Sequence, residues 1–137
     1  MLTEDYLLRQ IAQLVAVLAK IAGLKKAGKY QESYKIINQT IEEAFGLDAG
    51  IVKQLDDNSL NNIITTVYGV DVGKLYSLAG LLEAEGDVLA AQHRDIESQQ
   101  SYQRSLDLFL ELSAHPITDL DAEVSSRIIE LQKKLHG

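Results

Sequence analysis

Proline occurs once in this chain of 137 residues, at Pro116. A sequence so poor in helix breakers has few enforced stops, and its apolar residues recur at three- and four-residue steps. Few segments carry the β-branched alternation that strands need. Together these facts predict an all-α fold of about six to seven helices, set as antiparallel hairpins in a single domain over residues 1–137. No Ser/Pro-rich linker or low-complexity stretch divides the chain, and its length suits one domain. There is no cysteine, which excludes disulfides, zinc knuckles, iron–sulfur clusters and thiol nucleophiles.

The first helix is expected to start at Thr3, whose hydroxyl is placed to cap the first turn, and to end at Gly23 or within Lys25–Gly28. Leu7, Ile11, Leu14, Leu18 and Ile21 form one apolar stripe along it, and Leu8, Val15 and Ala22 form a second beside the first. The combined arc is wider than one neighbouring helix covers. Residues 11–22 are apolar, yet Arg9, Gln10, Gln13 and Lys20 interrupt the run and Glu4-Asp5 replace the basic start of a secretory signal. The expectation is a buried or partner-facing helix of a cytoplasmic protein, with no membrane span. A second helix is predicted over Tyr30–Phe45 and stopped by Gly46, then a short helix within Asp48–Leu55. Asp56 is placed to cap a helix through Leu60, Ile63, Ile64, Val67 and Tyr68. A long helix from Asp71 to Gln92 contains Gly80 and Gly86, whose cost of roughly 1 kcal/mol each calls for a close helix approach in return. Asp95 is expected to cap a helix to Ala114, broken by His115-Pro116. Thr118 with Asp121 resembles a capping box for the last helix.

Two segments align without gaps: GKYQESYKIINQTIEEAF at 28–45 and HRDIESQQSYQRSLDLFL at 93–110. Glu32-Ser33 falls on Glu97-Ser98, Ile37 on Tyr102, Thr40 on Ser105 and Ile41 on Leu106, an offset of 65 residues. Small residue, large residue four on, small residue three on: this describes one helix face packed into a neighbour. Tetratricopeptide repeats have that pattern in their second helix, and two of their 34-residue repeats nearly span the offset. Gly86, twelve residues before Ser98, stands where such repeats place the small residue of their first helix, and Leu82 fills the large position before it. The chain therefore resembles a tetratricopeptide-like helical-hairpin protein. More narrowly, its opening MLTEDYLLRQIAQLVAVLAKI and GKYQESYKIINQTIEEAFGLD are similar to a small bacterial family, mainly from Firmicutes. The resemblance implies a right-handed superhelix or bundle of hairpins, and it carries over no activity. Residues 48–70 depart from any repeat pattern, and no tryptophan stands at the usual position.

Chemistry is sparse. His93, His115 and His136 all fall at helix ends, where histidines favour the negative end of the dipole. Glu111 and His115 are one pair, too few for a metal site, and no nucleotide or hydrolase motif is present. The carboxylate pairs Glu42-Glu43, Asp56-Asp57, Glu83/Glu85 and Asp119/Asp121 are expected on solvated faces. Six tyrosines are expected mainly in the core. No catalytic, cofactor-binding or metal residue is assigned, and no cofactor.

The net charge of −7 argues against nucleic acid as a partner. It is unevenly spread: residues 1–40 carry six basic and three acidic side chains, and 41–137 carry seven and seventeen. Lys25, Lys26 and Lys29 form the candidate electrostatic patch. Leu7, Ile11, Leu14 and Leu18 form the candidate interaction face, a seam for helix pairing with a protein, a peptide or a second copy. The expected function is non-enzymatic protein–protein interaction or self-association. The alternative is a small-molecule-binding or enzymatic bundle, with a pocket between hairpins lined by tyrosines and a histidine.

Overall fold

A computed structural model describes residues 4–56, 58–59, 72–114 and 120–136, which form six α-helices and no strand. They are α1 (Glu4–Lys26), α2 (Tyr30–Phe45), α3 (Ala49–Gln54), α4 (Val72–Ala91), α5 (Asp95–Ser113) and α6 (Asp121–His136). The expected caps at Thr3 and Thr118, the break at His115-Pro116 and the helix through Leu60–Tyr68 lie outside the described residues. Asp56 does accept a hydrogen bond from the Ser59 backbone N–H at 2.6 Å.

Most helix ends follow the local chemistry. Gly46 closes α2 in the left-handed conformation, φ 66°, with its N–H donated to the Glu42 carbonyl. Asp48 caps α3 by accepting from the Ile51 N–H at 3.3 Å. One expectation holds in its second form and one needs correction. Of the two stops expected for α1, Gly23 stays helical and the helix ends within Lys25–Gly28, where Gly28 is left-handed at φ 76°. Asp95 is the first helical residue of α5 and not its cap, which is Arg94.

The hub is α4, with twelve of its twenty residues buried; a helix apolar on every side has to lie between others. It contacts α1, α2 and α5, while α6 packs on α5. On α1, by contrast, only Leu14 and Ile21 are buried. The greasy first helix is thus an edge and not the centre.

The repeat read from sequence is visible in the backbone. The α1–α2 turn has Gly28 at φ 76°, and the α4–α5 turn has His93, 65 residues on, at φ 61°. The next residues match as well: Lys29 at φ −90°, ψ 66° and Arg94 at φ −92°, ψ 68°. Lys29 donates to the Leu24 carbonyl at 2.8 Å, and Arg94 to the Leu89 carbonyl at 3.0 Å. His93 therefore stands where the first copy uses glycine, at a cost of roughly 1 kcal/mol for a Cβ in the left-handed region.

The two hairpins differ in how their helices meet. Ser98 Oγ donates to the Gly86 carbonyl at 2.8 Å, and Ser105 Oγ to the Ala79 carbonyl at 2.6 Å. These two bonds stitch α5 to the backbone of α4 in antiparallel register. A Cβ on Gly86 would stand 2.6 Å from two Tyr102 ring carbons, so the close approach needs this glycine. In the first hairpin Ser33 and Thr40 turn back onto their own helix, donating to the carbonyls of Lys29 and Ile36. The α1 residues equivalent to Gly86 and Ala79 are Ile21 and Leu14, large side chains that hold the helices apart.

Gly86→Ala is accordingly expected to destabilise the protein by roughly 2 kcal/mol, since the overpacking outweighs the gain in helix propensity. Gly80→Ala is the control: its Cβ would meet Leu14 Cδ2 at 3.4 Å, an ordinary contact. It is expected to stabilise by about 0.5–1 kcal/mol. Urea denaturation of the two variants reads both signs.

Candidate functional site

Because α1 lies at the edge of α4 and α6 reaches α4 from the other side, a groove of about 260 Å³ opens between them. Leu14, Val15, Leu18 and Ile21 of α1 form one wall, and Glu123 and Arg127 of α6 the other. Gly80 and Ala84 of α4 lie in its floor. The absence of a side chain at Gly80 deepens it, with Leu14 and Leu18 seated above that position.

The charged wall rests on a carboxylate that sequence patterning placed in solvent. Glu83 is 3% exposed. It accepts from Arg127 Nε at 3.0 Å, from the second Arg127 nitrogen, and from Lys134 Nζ at 2.9 Å. Lys134 also reaches Asp87 at 3.0 Å, and Asp87 accepts the Tyr102 hydroxyl proton at 2.6 Å. The expectation of a solvated Glu83/Glu85 pair is corrected for a physical reason: α4 is central and has no solvent face to offer. Glu85 is likewise drawn in, paired with Lys53 at 2.8 Å. A signal existed in the sequence. Glu83 and Asp87 are four apart on one helix, Arg127 and Lys134 seven apart on another, and each pair shares a face.

These contacts move the titrating groups consistently. Burial pushes the Lys134 ammonium down, but its bonds to Glu83 and Asp87 more than reverse this, and its pKa is raised. Arg127 is raised in the same way against its burial, by Glu83. Burial and then the bond to Asp87 hold the Tyr102 phenol well above its ordinary value. The cluster pairs two carboxylates with two cations and latches α6 onto the α4–α5 hairpin.

The residues singled out from sequence are placed as follows. Leu14 is buried, and Leu7, Ile11 and Leu18 are partly buried against the core. The expected interaction face thus has one side against the core, while its Leu14 and Leu18 also line the groove. The exposed apolar residues of α1 lie one step round, at Leu8 (50% exposed) and Val15 (60%). Ala12, Ala16, Ala19 and Ala22 are exposed between and beside them. The lysine patch divides, with Lys25 half-buried at the end of the groove and Lys26 and Lys29 exposed at the turn. Of the tyrosines expected mainly in the core, Tyr76 and Tyr102 are there, Tyr30 and Tyr34 are partly buried, Tyr6 is exposed and Tyr68 lies outside the described residues. His93 and His136 are exposed, and His115 lies outside the described residues. Among the described residues no three His, Asp or Glu side chains are gathered as for a metal.

A second, polar cleft of about 410 Å³ lies between α2, α3, α4 and α5. Several of its polar groups are paired: Lys53 with Asn38 and Glu85, Arg94 with Glu97, Tyr34 with Gln92 and Arg104 with the Leu55 carbonyl. By length and composition Tyr6–Lys26 is apolar enough to cross a membrane. Core helices pass the same test when mostly buried, but only 17% of this helix's most apolar stretch is buried. No protein family, curated protein or solved structure matches the chain.

Proposed function

We propose that the chain is a non-enzymatic, tetratricopeptide-like helical-hairpin domain that binds a protein helix along the outer face of α1 and in the groove beside it. The observation that carries this reading is the exposed Leu8–Val15–Ala22 stripe, which stands free along one rim of an apolar groove. Exposed apolar residues aligned on one face mark interaction sites, whereas apolar residues scattered singly do not. The matching turns at Gly28 and His93 support a hairpin repeat. A protein partner is favoured over a bilayer because α1 is committed on its other side: Leu14 and Ile21 are buried in the domain, and a span would have to abandon them.

The chain has no cysteine, so a single introduced thiol reports cleanly. Val15→Cys is expected to react quickly with a maleimide in dilute purified protein. In native cells it is expected to be protected at least tenfold relative to Gln31→Cys, at an exposed position of α2. Equal labelling of the two thiols in cells would overturn the reading.

A further inference from the structure

We infer that the occupant of this face is a second copy of the same chain, its α1 packed antiparallel against the first. The inference rests on the reading of α1's outer face as an interaction surface and names its partner.

Charge along α1 selects both occupant and direction. Between Asp5 and Leu24 the charged residues are Arg9 and Lys20, one in each half, while the helix opens with Glu4-Asp5 and closes with Lys25-Lys26. A parallel copy would set like charges level with each other at both ends. An antiparallel copy sets Glu4-Asp5 level with the partner's Lys25 and Lys26, and it also opposes the two helix dipoles favourably.

The register follows from the same helix. The midpoint of Glu4–Lys26 is Val15, the most exposed large apolar residue of α1. A two-fold axis beside Val15 brings Leu8 level with the partner's Ala22, a large residue against a small one. It also brings Ala12 near the partner's Ala19, so the backbones can approach closely. The stripe Leu8, Ala12, Val15, Ala19, Ala22 steps by four and three, the spacing of a helix-pairing seam. Each copy supplies both the groove and the helix that enters it, as a closed two-fold interface requires. A helix of 23 residues is roughly 35 Å long.

Sedimentation velocity on the purified full chain, from low to high micromolar, is expected to show a dimer. Val15→Glu is expected to keep the helical circular dichroism and weaken association at least tenfold. Cysteine pairing reads the direction independently. Val15→Cys should form an intermolecular disulfide, and Leu8→Cys should cross-link with Ala22→Cys at least tenfold faster than with itself. A monomer at every concentration overturns the self-pairing, as does a dimer indifferent to Val15→Glu or a preference of Leu8→Cys for its own kind. If Val15→Cys is nevertheless protected in cells, the interaction surface stands and its partner is a different protein. Protection reproduced by vesicles of neutral phospholipid alone would overturn both readings.

Discussion

Leu14→Glu is expected to abolish cooperative folding, while Val15→Glu, one residue along the same helix, is expected to leave the monomer folded. Leu14 is 5% exposed and sits over Gly80 in the central cluster. A carboxylate there replaces a side chain packed in the apolar cluster, so the substitution loses the leucine's packing, about 2–5 kcal/mol. It also incurs several kcal/mol more for desolvating a charge. The total reaches the whole stability of an ordinary domain, about 5–15 kcal/mol. Val15 projects into solvent from the groove rim, where a surface substitution changes stability by about 0.5 kcal/mol or less. Far-ultraviolet circular dichroism with urea denaturation separates the two. A folded Leu14→Glu would mean that α1 is not held by its inner stripe.

Glu83→Ala is expected to loosen α6 and to lower stability by roughly 2–4 kcal/mol. Removing one member of a buried ion cluster strands the others, and the low end applies because the Arg127 and Lys134 side chains are about a third exposed and regain some water. Hydrogen exchange should quicken through α6 well before it does in the α4–α5 hairpin. Lys134→Met combined with Glu83→Ala should cost less than the sum of the two, since both break the same contacts. The pH dependence has a definite sign. Lys134 has a raised pKa in the folded state, so its share of the stability is fully present below its ordinary value of 10.5 and is lost as pH rises through the folded value. The gap between wild type and Lys134→Met should therefore close in alkali and stay constant through neutral pH.

Helix positions were legible in the sequence because they depend on local chemistry. Gly46 and Asp48 act through their own turns, and the serine–glycine pairing of Ser98 with Gly86 is a property of the spacing within one hairpin. What stayed hidden depends on which helix lies in the middle. The apolar arc of α1 is wider than one neighbouring helix covers, and taken alone it fits the centre of a bundle or an exposed rim equally well. Only the all-round burial of α4 decides between them. The same fact moves Glu83 from a solvated face into an ion cluster. It also turns the Leu7–Leu18 stripe inward, leaving the neighbouring Leu8–Ala22 stripe outside. The α5 boundary was misjudged at Asp95 for a local reason: an aspartate suits a cap, but the turn geometry shared by Gly28 and His93 puts Arg94 in the cap position and Asp95 inside the helix.

The two copies of the hairpin differ in mechanical character. The second is riveted, its serine hydroxyls bonded across to the opposite backbone at two levels, so sliding α5 past α4 means breaking both bonds together. The first has no matching serine bonds, since Ser33 and Thr40 bond to their own helix; Leu14 and Ile21 pack α1 by shape, and shape tolerates a small slide. One half of the molecule is thus a stiff strut and the other a compliant jaw, and the compliant half carries the exposed apolar face. A helix arriving there meets a surface able to adjust its own position by a fraction of a turn without disturbing the frame behind it.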